Sequence, residues 1–179
     1  LDAFSFLLSF DGKVRAIKAA IAVITSACQE LLGSQELKTF LSIVLGIGNV
    51  LNEGTFAGGA VGYKMDILLR LQEVKSGDGK THLLNYIVET LYKEYPTLLE
   101  VPVQLAHAEK VCKESFLELE KEVEGTAHGM QRLSELMTTA DQDHVLFEVI
   151  AAFQSRTKTV PAQLQQNLQK AKDLFDQAA

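Results

Sequence analysis

Tryptophan is absent from this 179-residue chain, which also has only three prolines, two cysteines and four tyrosines. With aromatics at 7%, any core has to be built mainly from Leu, Ile, Val and Ala, side chains that interlock well between helices. The shortage of proline leaves long stretches with no built-in helix breaker. Cys28 and Cys112 lie far apart in helical patterns. They form no disulfide framework and read as small core hydrophobes in a reducing compartment. An excess of positive charge is missing too: the formal net charge is −6. That argues against nucleic acid as the main partner, because neutralising phosphates takes a dense Lys and Arg surface, while leaving room for a local basic patch. No apolar run approaches the ~20 residues of a membrane span, and no Lys-flanked leader opens the chain. The sequence predicts a cytoplasmic protein with no membrane span.

What is present is helical period. Leu1, Phe4, Leu7 and Leu8 begin in mid-pattern with no cap before them, as expected for a piece of a longer chain. Asp11-Gly12 reads as punctuation. After it, Val14, Ile17, Ile21, Ile24, Cys28 and Leu31 form one narrow stripe, as in a helix packed in a bundle. Gly33 ends that helix and Ser34 caps the next. From about Gln35 to Leu51 the pattern is apolar around much of the circumference, which predicts a central helix. Shorter helices are expected over about Lys64–Val74 and Thr81–Tyr95, the second stopped by Pro96. From Pro102 a long pattern begins, and charge crowds between Glu109 and Glu124 like an exposed helical arm, with Gly125 and Gly129 as weak points. Asp141-Gln142-Asp143 reads as a turn and cap before a helix starting near His144, and Pro161 would kink that helix or restart it from Thr159. No sustained alternation predicts a strand. The expected fold is all-α: an elongated helical bundle over about 1–100 and a protruding coiled-coil-like arm over about 101–179.

One stretch organises the rest. Between Leu45 and Tyr63 lie half of the 12 glycines, together with Asn49 and Asn52 at the end of a helical pattern. Three residues apart, the two asparagines share a helix face. They can bond free carbonyls at the helix end and hold the following loop, or shape a pocket for another chain. The glycines permit tight, positive-φ geometry. Phe56, Val61 and Tyr63 distinguish the stretch from a floppy linker, and their ordinary role is to form the loop's own small core.

Chemistry-bearing constellations are thin. Ser76-Gly77-Asp78-Gly79-Lys80-Thr81 looks like a phosphate cradle, but Val74 stands where such a loop needs glycine and the preceding segment reads helical, which favours a capped turn. Gly46-x-Gly48 is half a dinucleotide fingerprint whose third glycine position is Leu51. His82, His107, His128 and His144 are scattered outside any zinc motif. No nucleophile has an adjacent base. The sequence therefore predicts no catalytic residue, no metal, no cofactor and no enzyme.

A resemblance adds to this. Gly48-Asn49-x-x-Asn52-x-Gly54-x-x-x-Gly58-x-Ala60-x-Gly62-Tyr63, then Leu68-x-Arg70-Leu71 and Lys75-Ser76-x-Asp78-x-Lys80, resembles the formin homology 2 domain. Leu83-Leu84, Tyr95-Pro96 and Pro102-x-x-Leu105-x-His107-x-Glu109-Lys110 continue the likeness in order. So many punctuated positions over roughly sixty residues go beyond a single short motif.

The resemblance implies the post (about 1–100) and coiled-coil (about 101–179) part of a helical domain that dimerises head to tail around the growing end of an actin filament. In that family a lasso from one subunit wraps the post of the other. By position, Asn49, Asn52, Gly54, Gly62 and Tyr63 would build the lasso-receiving surface and Lys75 would face actin. The implied partners are actin and a second copy; profilin-bound actin and a Rho-type GTPase would act only through regions outside the match. Lasso, linker, most of the knob and the closing helix are expected to be missing, leaving a fragment inactive alone. Tyr63 stands where the family usually has Phe, His82 at a common Thr position and Asn85 at a common His position. The alternative is a helical scaffold or dimerisation module without actin activity.

Overall fold

The computed structural model describes residues 3–75, 79–139 and 145–178. It is all-α: no strand occurs among the described residues, which hold only an isolated antiparallel bridge between Lys75 and His82. The helices are α1 (Ala3–Gly33), α2 (Gln35–Leu51), α3 (Ile67–Arg70), α4 (Leu83–Glu94), α5 (Val101–Gln104), α6 (Ala106–Val111), α7 (Phe116–Thr139), α8 (Val145–Thr157) and α9 (Val160–Ala178), with a 3-10 turn over Pro96–Glu100. Ser76–Asp78 and Asp141–Asp143, expected as turns, lie outside the described residues, as does His144.

The chain divides into two compact units, Leu1–Leu32 with His107–Ala179, and Gly33–Ala106. This differs from a bundle over about 1–100, because the first helix belongs with the C-terminal helices. The cause is the phase of α1, which runs unbroken through Asp11-Gly12. Its stripe therefore extends back from Val14 to Phe10 and Phe6, leaving Phe4 and Leu8 exposed. The stripe packs with Leu119, Val123 and Leu133 of α7, Ile150 and Phe153 of α8, and Leu164, Leu168 and Ala171 of α9. Each fully buried Ile, Leu or Phe there contributes about 1.5–3 kcal/mol. Phe6, Phe10 and Phe153 meet edge to face, with Phe10 and Phe153 5.0 Å apart.

By length and composition α1 could cross a membrane, which short apolar runs did not suggest, since Lys13, Arg15 and Lys18 interrupt the pattern. Its apolar stripe is instead taken up by this core. The region expected as an exposed arm is also different. It is broken between Val111 and Phe116, and α7 then continues through Gly125 and Gly129, burying Leu119, Val123, Thr126 and Leu133. Lys172 of α9 pairs with Glu120 of α7. Pro161 restarts a helix, with the Gln163 N–H donating to the Thr159 carbonyl at 3.0 Å. Cys28 is buried as expected, whereas Cys112, just past the end of α6, is exposed.

In the second unit Ser34 caps α2, its hydroxyl accepting the Leu37 N–H at 3.0 Å. The core is small: Val44, Leu71, Ile87, Leu91 and Leu98, with Phe40, Ile43, Ile47, Tyr63, Leu68 and Leu83 packed at its edge. Only Val44 of α2 is fully buried, so this is not the enclosed central helix its composition predicts. Part of its apolar surface stays at the surface, with Val50 and Leu51 exposed. The helix expected over about Lys64–Val74 is reduced to Ile67–Arg70. The carbonyls of Leu71 and Val74 accept amides from Leu84 and Leu83, so they start α4 instead of extending α3.

Candidate functional site

α2 ends by handing its chain to a corner held by side chains. The Asn52 N–H donates to the Gly48 carbonyl at 3.0 Å, and the Asn52 carbonyl accepts from the Thr55 N–H and, at 2.7 Å, from the Thr55 hydroxyl. Gly54 and Gly59 then reverse the chain with φ of 75° and 70°, values that side-chain-bearing residues rarely adopt. A Cβ on Gly58 would lie 2.6 Å from the Asn52 carbonyl oxygen, so the corner closes tightly only around glycine.

Asn49 locks the far side. Its Oδ1 accepts the Ala60 N–H at 2.8 Å and its Nδ2 donates to the Ala60 carbonyl at 2.9 Å. A side-chain amide thus pairs with a backbone position as a neighbouring strand would. The sequence allowed both asparagines to bond helix-end carbonyls and hold the loop; Asn49 holds the loop through its side chain, and Asn52 acts through its main chain. No hydrogen bond of the Asn52 side chain occurs among the described residues.

Tyr63 pins the end of the loop, donating its hydroxyl to the Leu41 carbonyl at 3.1 Å. Burial pushes that hydroxyl above the usual tyrosine range, so it stays a donor. The added oxygen of Tyr63 thus ties the loop back to α2.

These elements wall a groove of about 780 Å³, lined by Asn49, Asn52, Gly62 and Tyr63 together with apolar Val44, Leu51, Ile67 and Leu71. Four of the six residues singled out in the sequence are brought together here. Gly54, at the chain reversal, lies outside the lining, and Lys75 is not part of the lining either. Gly62 has no positive φ and open space where a Cβ would be. Lys75 is exposed and stands across the isolated bridge from His82. His82, at the start of α4, makes no side-chain cap, and its Nδ1 has no partner among the described residues.

Two residues depart from expectation most clearly. Phe56 and Val61 do not form a loop core: their relative exposures are 104% and 101%. The hydrogen bonds of Asn49, Thr55 and Tyr63 hold the loop without them, which frees both side chains. Nothing in the sequence separated the two outcomes, because an apolar residue in a glycine loop reads alike either way. Arg70 and Glu73, an exposed ion pair at 3.3 Å, also line the groove and were not anticipated as a pair there.

The α-helical unit thus carries a glycine–asparagine corner that presents bare apolar side chains beside a groove. The model of the Formin Homology 2 Domain matches residues 1–179, and the chain belongs to that family. It is 31% identical over 149 residues to formin-like protein 6 of Oryza sativa subsp. japonica, a match covering 83% of this chain and 11% of that protein. To formin-like protein 21b of Arabidopsis thaliana it is 33% identical over 149 residues, covering 83% and 37%. To formin-like protein 20 of the same plant it is 31% identical, covering 83% and 9%. The chain spans well under half the length of these relatives.

Proposed function

We propose that the chain is part of an actin-binding module, a non-enzymatic piece of a factor that nucleates filaments and elongates them at the barbed end. Residues 33–106 serve as the post. The groove and corner built by Asn49, Asn52, Gly54, Gly62 and Tyr63 receive a lasso segment from a second copy, giving a head-to-tail dimer. The observation that carries this reading is the full exposure of Phe56 and Val61 on a loop locked by Asn49. An apolar pair held out in water by a rigid corner gains most when another chain covers it.

Lys75 is the actin contact in this scheme. Held beside the first turn of α4 and pointing to solvent, it offers a cation to an acidic surface, where charge complementarity speeds encounter and sets register. Profilin-bound actin and a Rho-type GTPase act through other regions of the longer protein. The test is Lys75→Asp in a protein carrying a whole family domain, followed by pyrene-actin assembly. Slower assembly with unchanged circular dichroism supports the role, and unchanged assembly removes Lys75 from it.

A further inference from the structure

A second groove lies in the other unit, between the N-terminal half of α1 and the middle of α7, with a volume of about 700 Å³. We propose that it docks an acidic amphipathic helix from a partner protein.

Its floor is apolar, formed by Phe6, Ile17 and Leu133. Around it stand Lys13, Lys121 and Arg132, all exposed. None of the three makes an ion pair among the described residues. The acids on the same walls are Glu122 and Glu135, and Glu135 already accepts a hydrogen bond from the Gln131 amide at 3.0 Å. A cation-rimmed apolar groove on a chain of net charge −6 selects a partner segment that is apolar on one face and acidic beside it.

The shape favours a helix. Gly125, Gly129 and Leu133 follow one another at intervals of four along α7, the row into which a ridge of a neighbouring helix fits. The two glycines differ. At Gly129 the Phe6 ring occupies the place of a side chain, so internal packing requires glycine. At Gly125 a Cβ would meet nothing within 4 Å. Packing within the unit therefore does not call for the weaker helix former there, whereas a partner backbone lying close over that position does.

The test uses fluorescence anisotropy with the 179-residue chain and two labelled synthetic helices that share one Leu/Ala stripe, flanked by Glu in one and by Lys in the other. The Glu helix is expected to bind and the Lys helix not. Its affinity should fall at least tenfold as salt is raised, in the pair Lys121→Glu/Arg132→Glu, and in Gly125→Leu, a change that favours helix and fills the groove. Circular dichroism checks that each variant is folded. Equal binding of both helices overturns the proposal, as does absence of binding. So does binding to phosphatidylserine vesicles without binding to the Glu helix, or self-association that the same substitutions abolish.

Discussion

Asn49 and Ala60, eleven residues apart, are joined by a two-way amide pair of 2.8 and 2.9 Å that closes the loop after α2. Asn52, one turn further along, supplies only its main chain. The two asparagines look equivalent in sequence and carry different loads.

Asn49→Ala should therefore destabilise the chain by about 1–2 kcal/mol, the net worth of two partly exposed hydrogen bonds. Asn52→Ala should fall within about 0.5 kcal/mol of the parent, as for a surface change that removes no contact. Urea denaturation of both variants checks this, with the midpoint lowered for the first alone.

Gly125 and Gly129 give a second paired expectation, one of sign. In a helix interior Gly→Ala ordinarily stabilises by about 1 kcal/mol, and Gly125→Ala should do so because nothing stands in the way. Gly129→Ala should instead destabilise by roughly 1–3 kcal/mol, the usual cost of overpacking. The Phe6 ring lies against that site and is held by edge contacts to Phe10 and Phe153. Thermal unfolding of the two variants should move in opposite directions.

The third prediction concerns pH. Glu30 of α1 accepts the His107 main-chain N–H at 3.0 Å and meets the His107 ring at 2.5 Å. The side-chain hydrogen bond from His107, more than any other influence, holds its carboxyl below the usual value of 4.5. A carboxylate depressed on folding contributes stability that is complete above its unfolded pKa and is lost as pH falls through the folded one. The thermal midpoint of the parent should exceed that of Glu30→Gln above pH 4.5, and the gap should close on acidification below it. A gap independent of pH would show that Glu30 acts only as a neutral acceptor.

Helical class was legible because Val14, Ile17, Ile21, Ile24 and Cys28 repeat at threes and fours, and the Ser34 cap followed from its hydroxyl beside a helix start. The error near the N-terminus came from treating Asp11-Gly12 as a break. A helix carried through them puts Phe6 and Phe10 in phase with that stripe and shows that α1 belongs with α7, α8 and α9. Lys64–Val74 misled for another reason: its apolar spacing is helical, but the carbonyls of Leu71 and Val74 are claimed by amides from a later segment, a non-local contact that spacing cannot show. At the corner, the importance of the asparagines was visible and their division of labour was not. That division, like the bareness of Phe56 and Val61, depends on where Ala60 returns in space.

The most direct measurement of the docking account is the dimer equilibrium of a protein that carries this chain together with a lasso segment, read by sedimentation for the parent and for Phe56→Asp/Val61→Asp. Both side chains are fully exposed, so the folded monomer should keep its circular dichroism and its urea midpoint. The account predicts a shift from dimer to monomer of at least tenfold in dissociation constant. A dimer of unchanged strength, with the corner intact, would contradict it.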